Sequence, residues 1–563
     1  MYATVLIAEL LNVTGKKLFT YPGGTIAPVY HELSRLGVEI VCSKAEQGAG
    51  YMAIADAILT GTPSFVAVTS GPGVTNIVTC VADAFYDSIP VVFFTGQVGT
   101  ADLARPKQLR QRGFQEVPTT EMLEAVTKKT YQPKTVNELK DSLIEGYSLA
   151  ATGRPGPVVI DLPMDMQLTE IADDDIRGFE PFSANQESAG DIQTADKKLK
   201  KVVDCLLSAE SPIILVGGGA ASCYESVRRL SEKLSIPVVS SFRGIGIMPS
   251  SHPLFFGWIG HTGFPGANDI LFNSDCVLVL GSRLDIRQTG SVVDEFQKKN
   301  IIHIDVDRHE ITSGRFKPNV GIHSTVENFI NGFIPILDDQ IAIGKKEWLE
   351  RARNIAKQYS FGDAGQIQGV RPDDLLEYVD EQTINMQTAI VTGVGSHQQW
   401  AGRHFSYDIP NKLFFTSAGH GTMGYGLPVA LGVKFQQPER LVICIDGDGS
   451  FQMNLQELAL IKEYGLSIKI LVMDNSRLGI VSQFQQITFG DDPVAGEFGG
   501  PDFSVIARGY GVKSWKIETF CRETIDKWLE YDGAALLHAK IQHDAPVSPM
   551  LLAGQSLNAM WES

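Results

Sequence analysis

Short β-branched apolar runs recur along this chain at helix-length intervals, and each stops at Gly, Ser, Pro or Asp: LFTYP near 20, EIVC near 40, SFVAVTS near 67, PVVFFTG near 92 and PVVIDLP near 160. An apolar run without polar alternation suits a strand buried on both faces, and the segments between supply the crossovers that parallel neighbours need. The pattern predicts an α/β fold with doubly wound parallel sheets, whose ligand-binding loops lie at the carboxyl ends of the strands. It returns twice. PIILVGGG, PVVSS, CVLVLGS and NIIHIDVD mark a second unit, and TAIVTGVG, LFFTS, RLVICIDGDGS, SIKILVMDN and AALLHAKI a third. The expected organisation is three domains, at 1–166, 195–338 and 371–563, joined by an acidic aperiodic linker at 167–194 and a charged one at 339–370.

Composition narrows the function classes. With 44% hydrophobic and 20% charged residues, the chain is globular rather than disordered. Its net charge of −17 repels phosphodiester backbones and anionic membrane surfaces, so neither nucleic acid nor a membrane is an expected partner. An anionic substrate would need a local arginine, a helix N-terminus or a bound metal. The seven cysteines are scattered without a C-x-x-C pair, which reads as reduced thiols. The N-terminal stretch has no basic n-region, and no apolar window is long enough to span a bilayer, so a cytoplasmic location is expected.

The segment IDGDGSFQMNLQELALIKEYGLSIKILVMDNSRLG carries the sharpest chemistry. One strand ends at Gly447-Asp448-Gly449 and the next at Asp474-Asn475, one crossover apart, so two hard oxygen ligands converge on one sheet edge. A magnesium-sized ion fits that pair, with a diphosphate, water and one carbonyl completing it. A helix beginning near Ser450 would aim free N–H groups at the phosphate. Either element alone is as well read as a tight turn. Together they resemble the thiamine-diphosphate-binding motif.

Further segments extend the resemblance over nearly the full length: CSKAEQGAGYMA, TSGPGVTN, GRPGPVVIDLP, ILVGGG, TSAGHGTMGYGLPVALG and VSPMLLAG are similar to the acetohydroxyacid (acetolactate) synthase large subunit, within the thiamine-diphosphate-dependent enzymes. No His-His pair of the kind common in simple decarboxylases occurs. The resemblance implies that Glu46 shares a proton with the cofactor's aminopyrimidine; without it, Glu46 reads equally as a helix-start carboxylate. It further implies that Met423 wedges the cofactor into its bent form and that the Gly421 carbonyl accepts from its amine. Asp448, Asn475 and the Arg477 carbonyl match the metal ligands, and His397, Gly449 and Ser450 the diphosphate contacts. Phe114 and Gln115 correspond to residues near the reacting carbon, and Arg283 to the arginine that receives the acceptor's carboxylate, although an ion pair with Asp285 is an equal reading. Phe484 stands where relatives favouring 2-ketobutyrate carry tryptophan, His261 where methionine is usual, and Ala45 where the family usually has His.

In the middle unit, Gly217, Gly218 and Gly219 with Asp305 look like elements for FAD, a phosphate approach and a ribose acceptor. The expected protein is then a thiamine-diphosphate, Mg2+ and FAD carboligase that decarboxylates pyruvate and transfers the two-carbon unit to a second 2-keto acid. The alternatives are transfer to another ketone, such as a keto-sugar nucleotide, and an inactive cofactor-binding scaffold. The family builds its sites between chains, which implies a homo-oligomer; the sequence is silent on a regulatory subunit.

Overall fold

The computed structural model describes residues 1–172, 176, 192–337, 344–359, 369–490 and 493–562. The apolar runs form strands, and three six-stranded parallel sheets result. The first contains β1 (Leu18–Tyr21), β2 (Ile40–Cys42), β3 (Ser64–Val68), β4 (Val91–Gln97), β5 (Lys129–Tyr131) and β6 (Val158–Pro163), in the order β2-β1-β3-β4-β6-β5. The second contains β7 (Pro212–Val216), β8 (Val238–Ser240), β9 (Phe255–Trp258), β10 (Cys276–Leu280), β11 (Asn300–Asp305) and β12 (Val320–His323), in the order β12-β11-β10-β7-β8-β9. The third contains β13 (Thr388–Thr392), β14 (Lys412–Phe415), β15 (Leu441–Gly447), β16 (Lys469–Asp474), β17 (Lys513–Ile517) and β18 (Ala535–Lys540), in the order β14-β13-β15-β16-β18-β17. The first and third sheets therefore share one strand order, while the middle sheet follows the dinucleotide-binding order.

Four strands that the apolar pattern does not mark, β5, β9, β12 and β17, all lie at sheet edges. An edge strand keeps one side in water, so its sequence need not be a continuous apolar run. Lys129 and Lys513 open two of them to solvent, Gly321 interrupts the third, and β9 pairs with β8 through a register shift at Val238/Ser240.

Two stretches sit differently from the sequence division. Helix Lys346–Ala356, counted as linker, packs on the middle sheet: Trp348 is buried there and its Nε1 donates to Pro212 O at 2.9 Å. The segment around 550–561, counted with the third unit, also lies against the middle domain, where Leu551 and Leu557 join the same cluster. Helix Ile192–Ser208 begins inside the predicted 167–194 linker, and most of that interval lies outside the described residues, as do 339–343 and 360–368 of the second linker.

The first and third domains share a core. Helix Glu46–Thr60 lies against helix Gly426–Gln436, and Tyr51 meets Tyr425 edge-on with ring centroids 5.2 Å apart. The approach is close because small residues face it: a Cβ on Gly432 would sit 2.6 Å from Met52 O. Overpacking such a contact costs about 1–3 kcal/mol. The domain carrying Glu46 thus packs directly on the domain carrying the GDG turn. Among the described residues, no helix is long and apolar enough to cross a membrane.

Candidate active site

The third sheet changes winding direction between β13 and β15, the place where doubly wound sheets bind ligands. The loop after β13 leads into helix Ser396–His404, and β15 ends in the helical turn Asp448–Phe451, shorter than the helix expected from the sequence. Glycines let these loops crowd: a Cβ on Gly393 would fall 2.0 Å from Asp446 Oδ1 and 2.4 Å from Ser450 Oγ, and one on Gly447 2.8 Å from His397 Nδ1. A Cβ on Gly449 would approach Leu478 at 2.7 Å and Met423 Cε at 3.5 Å, which places Met423 over the GDG turn. The loop carrying Gly421 and Met423 is anchored by the first domain. Asp87 accepts from Ala418 and Gly419 N–H at 3.1 and 2.9 Å, while Ser417, bonded to Asp83, accepts from Gly421 and Thr422 N–H. Gly421 takes φ +77°, a conformation that favours glycine.

This edge holds buried polar atoms with no hydrogen-bond partner: Asp448 Oδ2, Asp446 Oδ2, Ser396 Oγ and His397 Nε2. His397 Nε2 lies 3.3 Å from Asp446 Oδ1 without hydrogen-bond alignment. Buried polar groups are normally satisfied, so a cluster of orphans marks a place built for a ligand. Asp448 is 2% exposed, and burial, followed by the charge of Asp474, pushes its carboxyl up to about 7. The Asp448 carboxylate with the Asn475 amide and a backbone carbonyl is a hard-oxygen donor set of the kind suited to a divalent cation. Asn475 follows β16, and its turn is braced from behind. Asp474 accepts from His538 at 2.7 Å and Lys540 at 2.6 Å; burial opposes its ionisation, but those two groups hold it well below the usual carboxylate range. The Arg477 side chain binds Asp544 and Glu497, and its backbone N–H donates to Asn475 Oδ1 at 3.3 Å. The Ser450 hydroxyl accepts from Gly424 N–H at 2.9 Å.

A cleft of about 1220 Å3 runs from this edge to the middle sheet, lined by His397, Gly421, Met423, Asp448, Gly449, Ser450, Asn475 and Arg477 on one side and by Gly218, Gly219, His261, Arg283 and Asp305 on the other. The middle side is internally paired. Arg283 donates to Asp285 at 2.9 Å, and Asp285 caps helix Ile286–Thr289; Asp305 accepts from Asp307 N–H at 2.8 Å. Gly217 faces the backbone rather than the cleft, since a Cβ there would lie 2.1 Å from Gly281 O. Burial, with Arg287, pushes His261 down to about 4 and keeps its ring neutral.

Glu46, Phe114, Gln115 and Phe484 do not line this cleft within their own chain. Glu46 is the first residue of helix Glu46–Thr60, 7% exposed, and accepts from Asn76 Nδ2 at 3.0 Å. Gln115, at φ +59°, lies against Gly71, so the RGFQEVP turn and the TSGPG loop share the Glu46 edge of the first sheet. Phe114 is 85% exposed and Phe484, on helix Gly479–Phe489, 62%. Asp446, Ser396 and the Asp474–His538–Lys540 brace escape sequence reading; a polar residue inside a buried strand, as in LVICIDG, is the signal that could have found the first.

Comparison with known proteins accounts for the whole architecture. Family models for the thiamine pyrophosphate enzyme N-terminal TPP binding domain, central domain and C-terminal TPP binding domain match residues 1–122, 199–333 and 393–539. The acetolactate synthase isozyme 1 large subunit of Escherichia coli K12 is 32% identical over 98% of this chain and 96% of its own. The acetolactate synthase large subunit of Lactococcus lactis is 34% identical over 98% and 94%, and a probable acetolactate synthase large subunit of Methanococcus aeolicus 35% over 89% and 85%. The chain belongs to the thiamine pyrophosphate enzyme family, in its acetolactate synthase large-subunit branch. It is a thiamine-diphosphate-dependent carboligase, a transferase of the acetolactate synthase kind.

Proposed function

We propose that this enzyme decarboxylates pyruvate and joins the remaining two-carbon unit to the carbonyl of a second 2-keto acid, by default another pyruvate, giving 2-acetolactate. The reading is carried by one observation: the cofactor edge at Asp448 and Asn475 and the Arg283 guanidinium line one continuous cleft. Thiamine diphosphate, when bound, supplies a nucleophilic carbon and a sink for the electron pair left by departing CO2. Asp448, Asn475 and the Arg477 carbonyl would hold Mg2+, which suits the orphaned Asp448 Oδ2, while His397, Gly449 and Ser450 would face the diphosphate. Met423 and the Gly421 carbonyl orient the aminopyrimidine, and Glu46 holds the proton exchanged with it. Phe114 and Gln115 shield the reacting carbon from water. Arg283 turns its fork from Asp285 to the acceptor's carboxylate. FAD would occupy the middle side of the cleft, with Gly218 and Gly219 toward its phosphates and Asp305 toward a ribose hydroxyl.

The enzyme works as a homo-oligomer in which Glu46 of one chain faces the Asp448 edge of another; the placement of Glu46 outside its own chain's cleft supports this. A second reading keeps the donor and changes the acceptor to a bulkier ketone such as a keto-sugar nucleotide. The exposed Phe484, the neutral His261 and the small Ala45 at the helix start favour it. Product analysis with thiamine diphosphate, Mg2+, FAD and pyruvate separates them. Acetolactate formed at two pyruvates per product supports the synthase reading; slow CO2 release with little acetolactate shifts the acceptor to the larger ketone; no CO2 leaves only a cofactor-binding scaffold. An active 61.4 kDa monomer in analytical ultracentrifugation would overturn the shared site.

A further inference from the structure

The helix that begins with Glu46 has no cap of its own. Ala45 precedes it in extended conformation without a side-chain cap bond, and the third helical position, where a capping box places a glutamate reaching back to free N–H groups, is Gly48. The carboxylate comes instead from the third domain. Glu457, which ends the 3-10 turn Leu455–Glu457, is wholly buried, and both of its oxygens accept from Lys44 N–H at 3.1 Å. A Cβ on Gly48 would lie 2.4 Å from Glu457 Oε1 and 2.7 Å from its Cδ, so the space of a side chain at position 48 is the space the Glu457 carboxyl fills. In the same segment, Asn454 Nδ2 donates to Gly424 O at 2.7 Å and lies 3.3 Å from Gln47 Oε1, joining the Met423 loop to the residue after Glu46.

We propose that Glu457 is a positioning residue: it completes from another domain the capping box of the Glu46 helix and so fixes the orientation of the Glu46 carboxyl. The proposal rests on the reading of Glu46 as the group that exchanges a proton with the cofactor. Ionised, Glu457 offers both oxygens to backbone N–H groups; protonated, it loses acceptor capacity and the first turn loosens. Burial raises the Glu457 carboxyl to about 7, opposed by the Lys44 and Ala45 N–H groups and the Lys44 charge. The charged group that acts on it is Lys44, whose ammonium is itself paired to Glu463. Its titration therefore falls where activity is measured.

The test uses the full-length protein with Glu457→Gln, Glu457→Gly and the double variant Gly48→Glu/Glu457→Gly, which moves the carboxylate into the helix itself. In cofactor-free protein, amide hydrogen exchange across residues 43–50 is expected to quicken about tenfold or more in both single variants and to slow again in the double variant. With thiamine diphosphate and Mg2+ bound, C2 proton exchange of the cofactor is expected to fall about ten- to a hundredfold in the single variants while cofactor affinity stays within a few-fold. The acidic limb of the kcat profile near pH 7 should disappear in Glu457→Gln. Unchanged amide exchange and unchanged C2 exchange in Glu457→Gln would overturn the proposal. If Glu457→Gly does not fold, Glu457→Gln alone decides. Full C2 exchange in Glu46→Gln would instead remove the underlying reading of Glu46, an outcome that the Glu457 amide data do not share.

Discussion

The third and middle sheets present their carboxyl edges to the same cleft, but the two edges carry their polar groups differently. On the third sheet, Asp448, Asp446, Ser396 and His397 each keep a buried polar atom without a partner. On the middle sheet, the corresponding groups have already found one another: Arg283 with Asp285, Ser282 with Gln288 at 2.6 Å, Asp305 with the Asp307 N–H. An unsatisfied buried group costs about 1–3 kcal/mol, so the third edge, with orphan atoms on four residues against the Ser240 hydroxyl alone on the middle edge, stores the larger demand for ligand. The two edges of one cleft thus differ in how many of their buried polar groups already hold a hydrogen bond.

The sharpest challenge to that contrast is a pair of matched substitutions. Asp448→Ala is expected to weaken thiamine diphosphate binding in the presence of Mg2+ by about a hundredfold and to remove turnover, whereas Asp305→Ala should cost less than about tenfold; calorimetric titration and product assay of both decide it, and loss of turnover in Asp305→Ala would collapse the distinction. Glu46→Gln comes next. It should lower turnover by about 10²–10⁴ while leaving cofactor affinity within a few-fold. Thermal unfolding then compares the ligands: thiamine diphosphate with Mg2+ at about a hundred times Kd adds about 2.7 kcal/mol of stability by mass action, and at equal free concentration FAD should add less. Arg283→Ala is expected to raise the acceptor KM about tenfold with little change in kcat, and Arg283→Lys should not restore it, because an ammonium cannot reproduce the planar fork. The smallest effect concerns His261. Its folded value near 4 lies below the unfolded value of about 6.5, so the unfolded chain binds more protons between these, and stability is lost as pH falls through that window. His261→Gln should flatten this acid loss in denaturant titrations, while the wild type and variant match above pH 7.

The interior of every sheet was readable from the chain because strands covered on both faces must be apolar throughout. Edge strands such as Lys129–Tyr131 and Lys513–Ile517 were not, since half of their surface is wet and their assignment depends on a neighbour supplied by the fold. At the site, Asp448 and Asn475 could be paired because a crossover fixes where the next strand ends. Glu457 could not be joined to Glu46 in that way. Its partner N–H belongs to Lys44, in a different domain, and the only hint is negative, a glycine at position 48 where a cap would stand.

The shared strand order of the first and third sheets carries one more consequence. The chain holds one topology twice, with Glu46 on the edge of one copy and Asp448 and Asn475 on the edge of the other. A substitution at the seam between them, where Gly48, Gly432 and Tyr51 meet the opposite copy, therefore disturbs both edges at once.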